Sequence, residues 1–433
     1  MREKQEDTLR ERVLLVGVDT GEEEDFDRSM EELIRLAEAC ERQIVGIITQ
    51  KLENVNKALY IGTGKVEEVR VYAGECEAEE VIFDNTLTPS QVRNLNRELE
   101  LPILDRTNLI LDIFAIRAQT REAKLQVETA RLQYLLPRLV GMHDSLSRQG
   151  GASGNLSNKG TGEKKLELDR RRIEHRISEL KKELENISRS RQTQRKRRSV
   201  SRIPQVALVG YTNAGKSTIL NRLVERYGEG PEKRVMEKDM LFATLETSVR
   251  SIETGDNKPF FLVDTVGFIH KLPHGLIKAF QSTLEEVKYA DLLVQVVDFS
   301  DPDHRQQMKV TRETLNALDA GDIPQIIVYN KADKCQMEGM PKIRDRQIYM
   351  AAANDVGIKE LAELIKEIVY EDLVDCTFLI PYDKGGVASY LMESSAVSFQ
   401  EYREDGVLLR IKCHSQDAAK YDCFRITDME IQK

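Results

Sequence analysis

The stretch GYTNAGKST at residues 210–218 puts Gly210, Gly215, Lys216 and Ser217 at the spacing G-x-x-x-x-G-K-[ST]. Glycines at those positions let the backbone curl until its N–H groups converge on phosphate oxygens, and a helix beginning there adds favourable dipole charge. The whole loop, Gly210, Tyr211, Thr212, Asn213, Ala214, Gly215, Lys216, Ser217 and Thr218, is therefore assigned to a nucleotide. Lys216 is expected on the β and γ phosphates and Ser217 on Mg²⁺. Alone the loop specifies only a nucleoside triphosphate. DTVG, comprising Asp264, Thr265, Val266 and Gly267, adds a carboxylate placed to support Mg²⁺ through water and an N–H at Gly267 for the γ phosphate. NKAD supplies Asn330, Lys331 and Asp333. A buried Asp333 carboxylate would accept from guanine N1–H and the 2-amino group, a donor pair adenine lacks, and so would reject adenine. Thr244 in FATLE lies between the first two motifs, where a switch threonine would meet Mg²⁺ and the γ phosphate. The expected metal ligands are thus Ser217 and Thr244, and the expected catalytic residues Lys216, Thr244 and Gly267.

Each motif needs an element to deliver it. QVALV reads as a buried strand before the loop and KSTILNRLVERY as an amphipathic helix after it, while FFLV precedes Asp264 and QIIVY precedes Asn330 as strands. These pieces make an α/β domain over 203–371. Ahead of it, RVLLVGV, QIVGIIT, EEVIFD and LPILD read as short buried strands. MEELIRLAEACE, KVEEVRVYAGE and TPSQVRNLNRELE read as helices between them, the last with a capping box from Thr88 to Gln91 and Pro89 in its first turn. That alternation predicts a small parallel α/β domain over 1–115. Its YIGTGK, with Gly62, Gly64 and Lys65, reads either as a partial phosphate cradle or as a plain turn before a helix. Residues 116–202 change character. Leu125, Thr129, Leu132, Leu136 and Leu139 follow a seven-residue rhythm, as do Leu166, Ile173, Ile177, Leu180, Leu184 and Ile187. Two such helices predict an antiparallel hairpin, with Pro137 bending the first near its end. The connection SRQGGASGNLSNKGTG at 147–162 has five glycines and is read as a soft tip on a stiff stalk. Residues 372–433 predict a small α+β domain, with strands CTFLIP and GVLLRIKCH and helix VASYLMESS. The predicted fold is multidomain α/β in these four parts.

Charge is distributed unevenly. From Arg117 to Arg202 there are 22 Lys plus Arg against 10 Asp plus Glu, a net of +12, so a chain of net −9 carries −21 elsewhere. RSRQTQRKRR at 189–198 alone has six basic residues and no acid. Such a segment is either a polyanion contact, most naturally nucleic acid, or a solvated helical face. The amino terminus lacks the apolar run of a signal peptide and no stretch has the length of a membrane span. The expectation is a soluble, cytoplasmic monomer with no membrane contact. The six cysteines are scattered without a CxxC pair and are expected as reduced, mostly buried thiols; Cys413 beside His414 would be half a metal site with no second half.

The ordered motifs resemble the translation-factor-like class of P-loop GTPases, binding GTP and GDP. That resemblance implies a fifth element, usually Ser-Ala, whose backbone reads the guanine oxygen. Ala351 and Ala352 in YMAAANDVGI occupy it; the serine is absent and with it a supporting hydrogen bond. Phe268 stands where many GTPases carry a water-orienting glutamine, which predicts slow hydrolysis without a partner. An asparagine at the position of Asn213 is found in GTPases activated by potassium, where K⁺ sits beside the phosphates, so K⁺ is a second candidate ion after Mg²⁺. Longer stretches, including YIGTGKVEEV, DRTNLILDIFAIRAQTREAKLQVETARLQYLLPRL, LSRQGG, GTGEKKLELDRRRI and DTVGFIHKLPHGLIKAFQSTLEEVKYADLLVQVVD, strongly resemble the HflX family of ribosome-associated GTPases. GTGEKKLE departs from that family's usual Gly-Pro-Gly-Glu. The resemblance implies binding to the large ribosomal subunit and its rRNA, splitting of stalled or idle ribosomes under stress, and approach of the glycine-rich tip to the ribosomal active centre. It also brings an ATP-driven unwinding activity associated with the amino-terminal domain, for which only GTGK could serve here. Two other functions fit the residues: a large-subunit assembly GTPase, and a signalling GTPase with a protein effector and no RNA.

Overall fold

The computed structural model describes residues 11–21, 25–139, 159–200, 203–228, 242, 248–255, 258–271, 286–335 and 337–426. By internal contacts the chain divides into two units, one of Met1–Arg189, Lys238–Glu246 and Val266–Thr283, the other of Ser190–Glu237, Thr247–Thr265 and Leu284–Lys433.

In the first unit, β1 (Arg12–Asp19), β2 (Gln43–Lys51), β3 (Glu80–Phe83) and β4 (Ile103–Asp105) form a parallel sheet in the order β2-β1-β3-β4. The central strands carry near-continuous apolar runs, as strands buried on both faces must; six consecutive residues of β1 are buried. The crossover helices are α1 (Phe26–Ala39), α2 (Thr63–Glu75) and α3 (Pro89–Leu99). The Thr88–Gln91 capping box starts α3 as read from the sequence, with Gln91 N–H on Thr88 Oγ1 at 3.3 Å and Thr88 N–H on Gln91 Oε1 at 2.9 Å. Gly62 is the residue before α2, and Lys65 pairs with Glu68 at 2.7 Å. α4 (Arg106–Arg117) opens directly from β4, capped by Asp105.

α5 (Arg121–Leu135) stops ahead of Pro137, and Leu136–Arg138 tighten into a 3₁₀ turn. α6 spans Lys159–Val200. Arg121 pairs with Glu183 and Glu128 with Arg176, each at 2.8 Å. Numbers that rise on one helix as they fall on the other define an antiparallel hairpin. Leu125 on α5 and Ile177 and Leu180 on α6 are buried. The predicted tip falls outside the described residues as far as Asn158.

In the second unit a seven-stranded sheet has the order β10-β11-β9-β8-β5-β7-β6. β5 (Gln205–Gly210), β7 (Phe260–Asp264), β8 (Leu292–Asp298), β9 (Gln325–Asn330) and β11 (Gln347–Tyr349) run parallel, while β6 (Ser248–Ile252) and β10 (Lys342–Arg344) are antiparallel edges. α7 (Lys216–Tyr227) and α9 (Ile358–Val369) pack on it, burying Ile219, Leu220 and Leu223 with Leu361 and Ile365 in one core. α8 spans His304–Ala317. A separate antiparallel sheet β12-β14-β13 (Leu373–Ile380, Gly406–His414, Ala396–Arg403) packs one face on α10 (Gly385–Ser394) and α11 (Ser415–Lys420). Among the described residues no helix is long and apolar enough to cross a membrane.

The cysteines correct one expectation. Only Cys376 and Cys413 are buried; Cys40 and Cys76 are half-buried, and Cys335 and Cys423 are exposed. Burial and the neighbouring Cys376 push the Cys413 thiol up to about 12, the opposite of what a metal-ligating thiolate requires.

Candidate nucleotide site

The strand β5 ends in a glycine for a geometric reason. Gly210 has φ 141°, and a Cβ there would lie 2.2 Å from the Val296 carbonyl oxygen of the adjacent β8. Gly215, at φ 99°, precedes α7, and a Cβ there would meet Asn330 Nδ2 at 2.2 Å. Both positions therefore exclude any side chain. Between them Asn213 also takes a left-handed conformation, φ 60°, which asparagine tolerates better than most residues.

Lys216 begins α7 and is 7 % exposed. Its ammonium folds back onto the loop, donating to the carbonyls of Gly210 at 3.1 Å and Tyr211 at 2.7 Å. Burial pushes its pKa down to about 8, against a weaker upward pull from Asp264. Ser217 Oγ donates to Asp264 Oδ2 at 3.0 Å, and Asp264 is fully buried at the end of β7. A hydroxyl and a carboxylate side by side are the hard oxygen donors Mg²⁺ prefers. That ion is held by one or two protein oxygens with phosphate and water completing its shell, so this pair fits it. The other expected ligand, Thr244, lies outside the described residues. Thr265 is fully buried and donates from Oγ1 to the Leu208 carbonyl at 2.6 Å, which ties the DTVG strand end to β5. Val266 and Gly267 fall, by their contacts, in the first unit. Phe268 follows them at 2 % exposure, a packed apolar ring with no group to hold water.

The base-reading motif leaves β9. Asn330 donates from Nδ2 to the Ala214 carbonyl at 2.9 Å and accepts at Oδ1 from the Ala352 N–H at 3.0 Å. One side chain thus ties the phosphate loop to the Ala351–Ala352 loop. The Ala352 N–H, read from the sequence as the reader of the guanine oxygen, is here engaged by Asn330. Lys331 donates to the Asn213 carbonyl and to Asp298 Oδ2, both at 2.8 Å. Asp333 sits on the 3₁₀ turn Ala332–Cys335 and is exposed. The desolvation that would make it reject adenine has to come from the base covering it.

Four contributors were not singled out from the sequence. Asp298, at the end of β8, orients Lys331. Asn354 donates from Nδ2 to Asp333 Oδ2 at 3.1 Å. Arg222 and Arg226 on α7 hold the same loop, through the Ala353 carbonyl at 3.0 Å and Asp355 at 2.9 Å. A carboxylate closing a strand was a signal available for Asp298; nothing in local spacing pointed to Asn354, Arg222 or Arg226.

Comparison with known proteins agrees along the chain. Residues 27–115 match the family model described as GTP-binding GTPase N-terminal, 117–198 that of the GTP-binding GTPase middle region, and 205–331 that of 50S ribosome-binding GTPases. The GTPase HflX of Caldanaerobacter subterraneus subsp. tengcongensis is 44% identical over 401 residues, covering 93% of this chain and 90% of its own. That of Escherichia coli is 36% identical over 402 residues, covering 92% of each. Among solved structures, a GTP-binding protein from the archaeon Sulfolobus solfataricus, in complex with GDP, aligns with 83% of this chain and 99% of its own, at 24% identity and a TM-score of 0.43. Identity of this extent, running through the N-terminal domain, the hairpin and the phosphate loop alike, settles the family: the chain belongs to the HflX GTPases.

Proposed function

We propose that the protein binds GTP with Mg²⁺, hydrolyses it slowly alone and faster on the large ribosomal subunit, and uses that cycle to split stalled or idle ribosomes in the cytoplasm under stress. The observation that carries the guanine reading is Asn330, which bonds at once to Ala214 of the phosphate loop and Ala352 of the base loop, with Asp333 two residues from Lys331. The ribosomal part is supported by the family, by the match of 205–331 to 50S ribosome-binding GTPases, and by a basic antiparallel hairpin suited to a deep RNA cavity.

The chemistry asked of the chain is mostly positioning and charge stabilisation. Backbone N–H groups between Gly210 and Gly215 hold the phosphates, and Lys216 swings from its two carbonyl partners to the β and γ oxygens. Ser217 and Thr244 would hold Mg²⁺, with Asp264 supporting it through water; the ion when bound neutralises charge developing on the phosphates. Asn213 would serve a K⁺ beside them, in the role of an arginine finger. The Gly267 N–H senses the γ phosphate. Phe268 cannot orient water, so the fast step waits for a group organised by the ribosome.

Sedimentation of ribosomes with the protein and GTP, GDP, ATP or a non-hydrolysable GTP analogue tests the reading, with single-turnover hydrolysis followed in K⁺ and in Na⁺. Splitting is expected with GTP and the analogue, with slow release in the latter, and faster hydrolysis in K⁺. Equal splitting with GDP removes the GTP-gated cycle; equal rates in the two salts remove the K⁺ site alone.

A further inference from the structure

Guanine specificity in this fold rests on one carboxylate presenting both oxygens in the plane of the base. A free carboxylate rotates broadly about its last torsion, so an exposed Asp333 has to be immobilised on binding, at an entropic cost. A neighbouring donor that already grips one oxygen removes part of that cost. The residue placed to give such a bond from the fifth motif is Ala351, whose side chain has no donor and which is 1 % exposed. Three residues on, Asn354 donates from Nδ2 to Asp333 Oδ2 at 3.1 Å. The assignment of the amide follows from chemistry, since its oxygen turned to the carboxylate would repel.

The loop carrying Asn354 is held on several sides. Its N–H bonds to the Ala351 carbonyl at 3.1 Å, and Ala351 and Val356 pair across the loop. Asp355 turns left-handed at φ 59° and Gly357 at φ 91°, where a Cβ would meet Met350 Cβ at 2.6 Å. Arg222 and Arg226 anchor the residues on either side of Asn354, Ala353 and Asp355, to α7. Asn354 itself is exposed, so its side chain contributes to no core. A carboxylate offers about four lone-pair sites; the bond from Asn354 uses one on Oδ2 and leaves Oδ1 and the second Oδ2 site for the two donors of the base.

We propose that Asn354 is a specificity-determining positioning residue, which pre-orients Asp333 toward guanine in place of the hydroxyl missing at Ala351. The inference rests on the GTP reading of the site. If that reading fails, the unmodified protein does not prefer GDP; if only this inference fails, the unmodified protein prefers GDP and the variants do too.

The test is the Kd of the full chain for GDP and for inosine diphosphate, which keeps N1–H and lacks the 2-amino group. Asn354→Ala is expected to weaken GDP binding about fivefold, the worth of roughly one net hydrogen bond, while inosine diphosphate, already bound through one donor, loses less. The GDP preference therefore narrows. Asn354→Asp, of the same size but like-charged with Asp333, is expected to narrow it further. Unchanged preference in Asn354→Ala, wild-type affinity in Asn354→Asp, or equal losses for both nucleotides in both variants overturns the assignment, the last because a merely structural loop residue would weaken the two ligands alike.

Discussion

Lys216 is a cation held where cations are costly. Two carbonyls and the Asp264 carboxylate partly compensate for its burial, yet its pKa still falls to about 8. A polyphosphate brings several negative charges to the same nitrogen, so in the complex the ammonium form is favoured and the pKa rises. Binding above the free value then takes up a proton, and affinity falls as pH rises. The Kd for GDP is expected to be about fourfold weaker at pH 8.5 than at pH 7, from this one proton. Below pH 7 Lys216 contributes no pH dependence, because it is charged in both states. Calorimetry in two buffers of different ionisation enthalpy would register the same proton as a buffer-dependent heat near pH 8.5. A flat Kd from pH 7 to 8.5 would show that the carbonyl pair keeps Lys216 fully charged without ligand.

At the scale of elements, the first unit gathers the ends of β3, α1 and α4 around one carboxylate. Asp84, just past β3, is fully buried. It bonds to Arg106 Nη1 and Lys271 Nζ, each at 2.5 Å, and to Ser29 Oγ at 2.7 Å. Arg106, first residue of α4 and 1 % exposed, also pairs with Glu32. Burial alone would push the Asp84 carboxyl up, but Arg106 and Lys271 outweigh it and hold it below the usual carboxylate range. A depressed folded value means that the contribution to stability is complete above the unfolded pKa of about 3.9 and is lost as pH falls through the folded one. Asp84→Asn leaves Arg106 with half its compensation and is expected to cost about 3 kcal/mol, read from the urea midpoint of the N-terminal unit at pH 7. The variant's midpoint should approach that of the unmodified protein as the pH drops below 4. A loss under 1 kcal/mol at pH 7 would mean that Glu32 and Ser29 suffice for Arg106.

None of that cluster could be read from the chain, because Lys271 and Asp84 lie 187 residues apart. What could be read were elements whose own pattern is strong. The strands β1 and β5, buried on both faces, are unbroken apolar runs, and the phosphate loop is legible because its glycines stand at fixed spacing within nine residues. The edge strands SVRSI (β6) and AVSFQEYR (β13) went unread. These edges carry no alternation to read: β6 is half-buried along most of its length, and Ser398 to Tyr402 of β13 are all exposed, with Phe399 and Tyr402 at 46 % and 69 %. The bond from Asn354 to Asp333 and the pairing of Asp298 with Lys331 were hidden for the same reason as Asp84. They are long-range pairings made by the sheet order, and spacing along the chain does not encode them.

For the whole molecule the governing quantity is the contrast between a segment of +12 and a remainder of −21. Such a molecule can approach a polyanion only through its basic part, since the rest is repelled at every distance within a Debye length. α6 spans 189–198 on its way to Val200, and one RNA surface meets only one side of a helix. Spacings of four and three place Arg191, Arg195 and Arg198 on one stripe, which sets the number of simultaneous phosphate contacts at about three. Each contact adds roughly 0.7–0.9 to the slope of log affinity against log salt. Replacing all six with glutamine is therefore expected to lower that slope, for binding to the large subunit with a non-hydrolysable GTP analogue, by about 2–3 and not by the ~5 that six independent contacts would give. Arg191, Arg195 and Arg198 replaced together should reproduce nearly the whole loss; the other three replaced together should leave most of the slope intact. A slope unaffected by all six would transfer RNA binding to the remainder of the hairpin. Association insensitive to salt altogether would favour a protein effector, because phosphate contacts cannot form without releasing counterions.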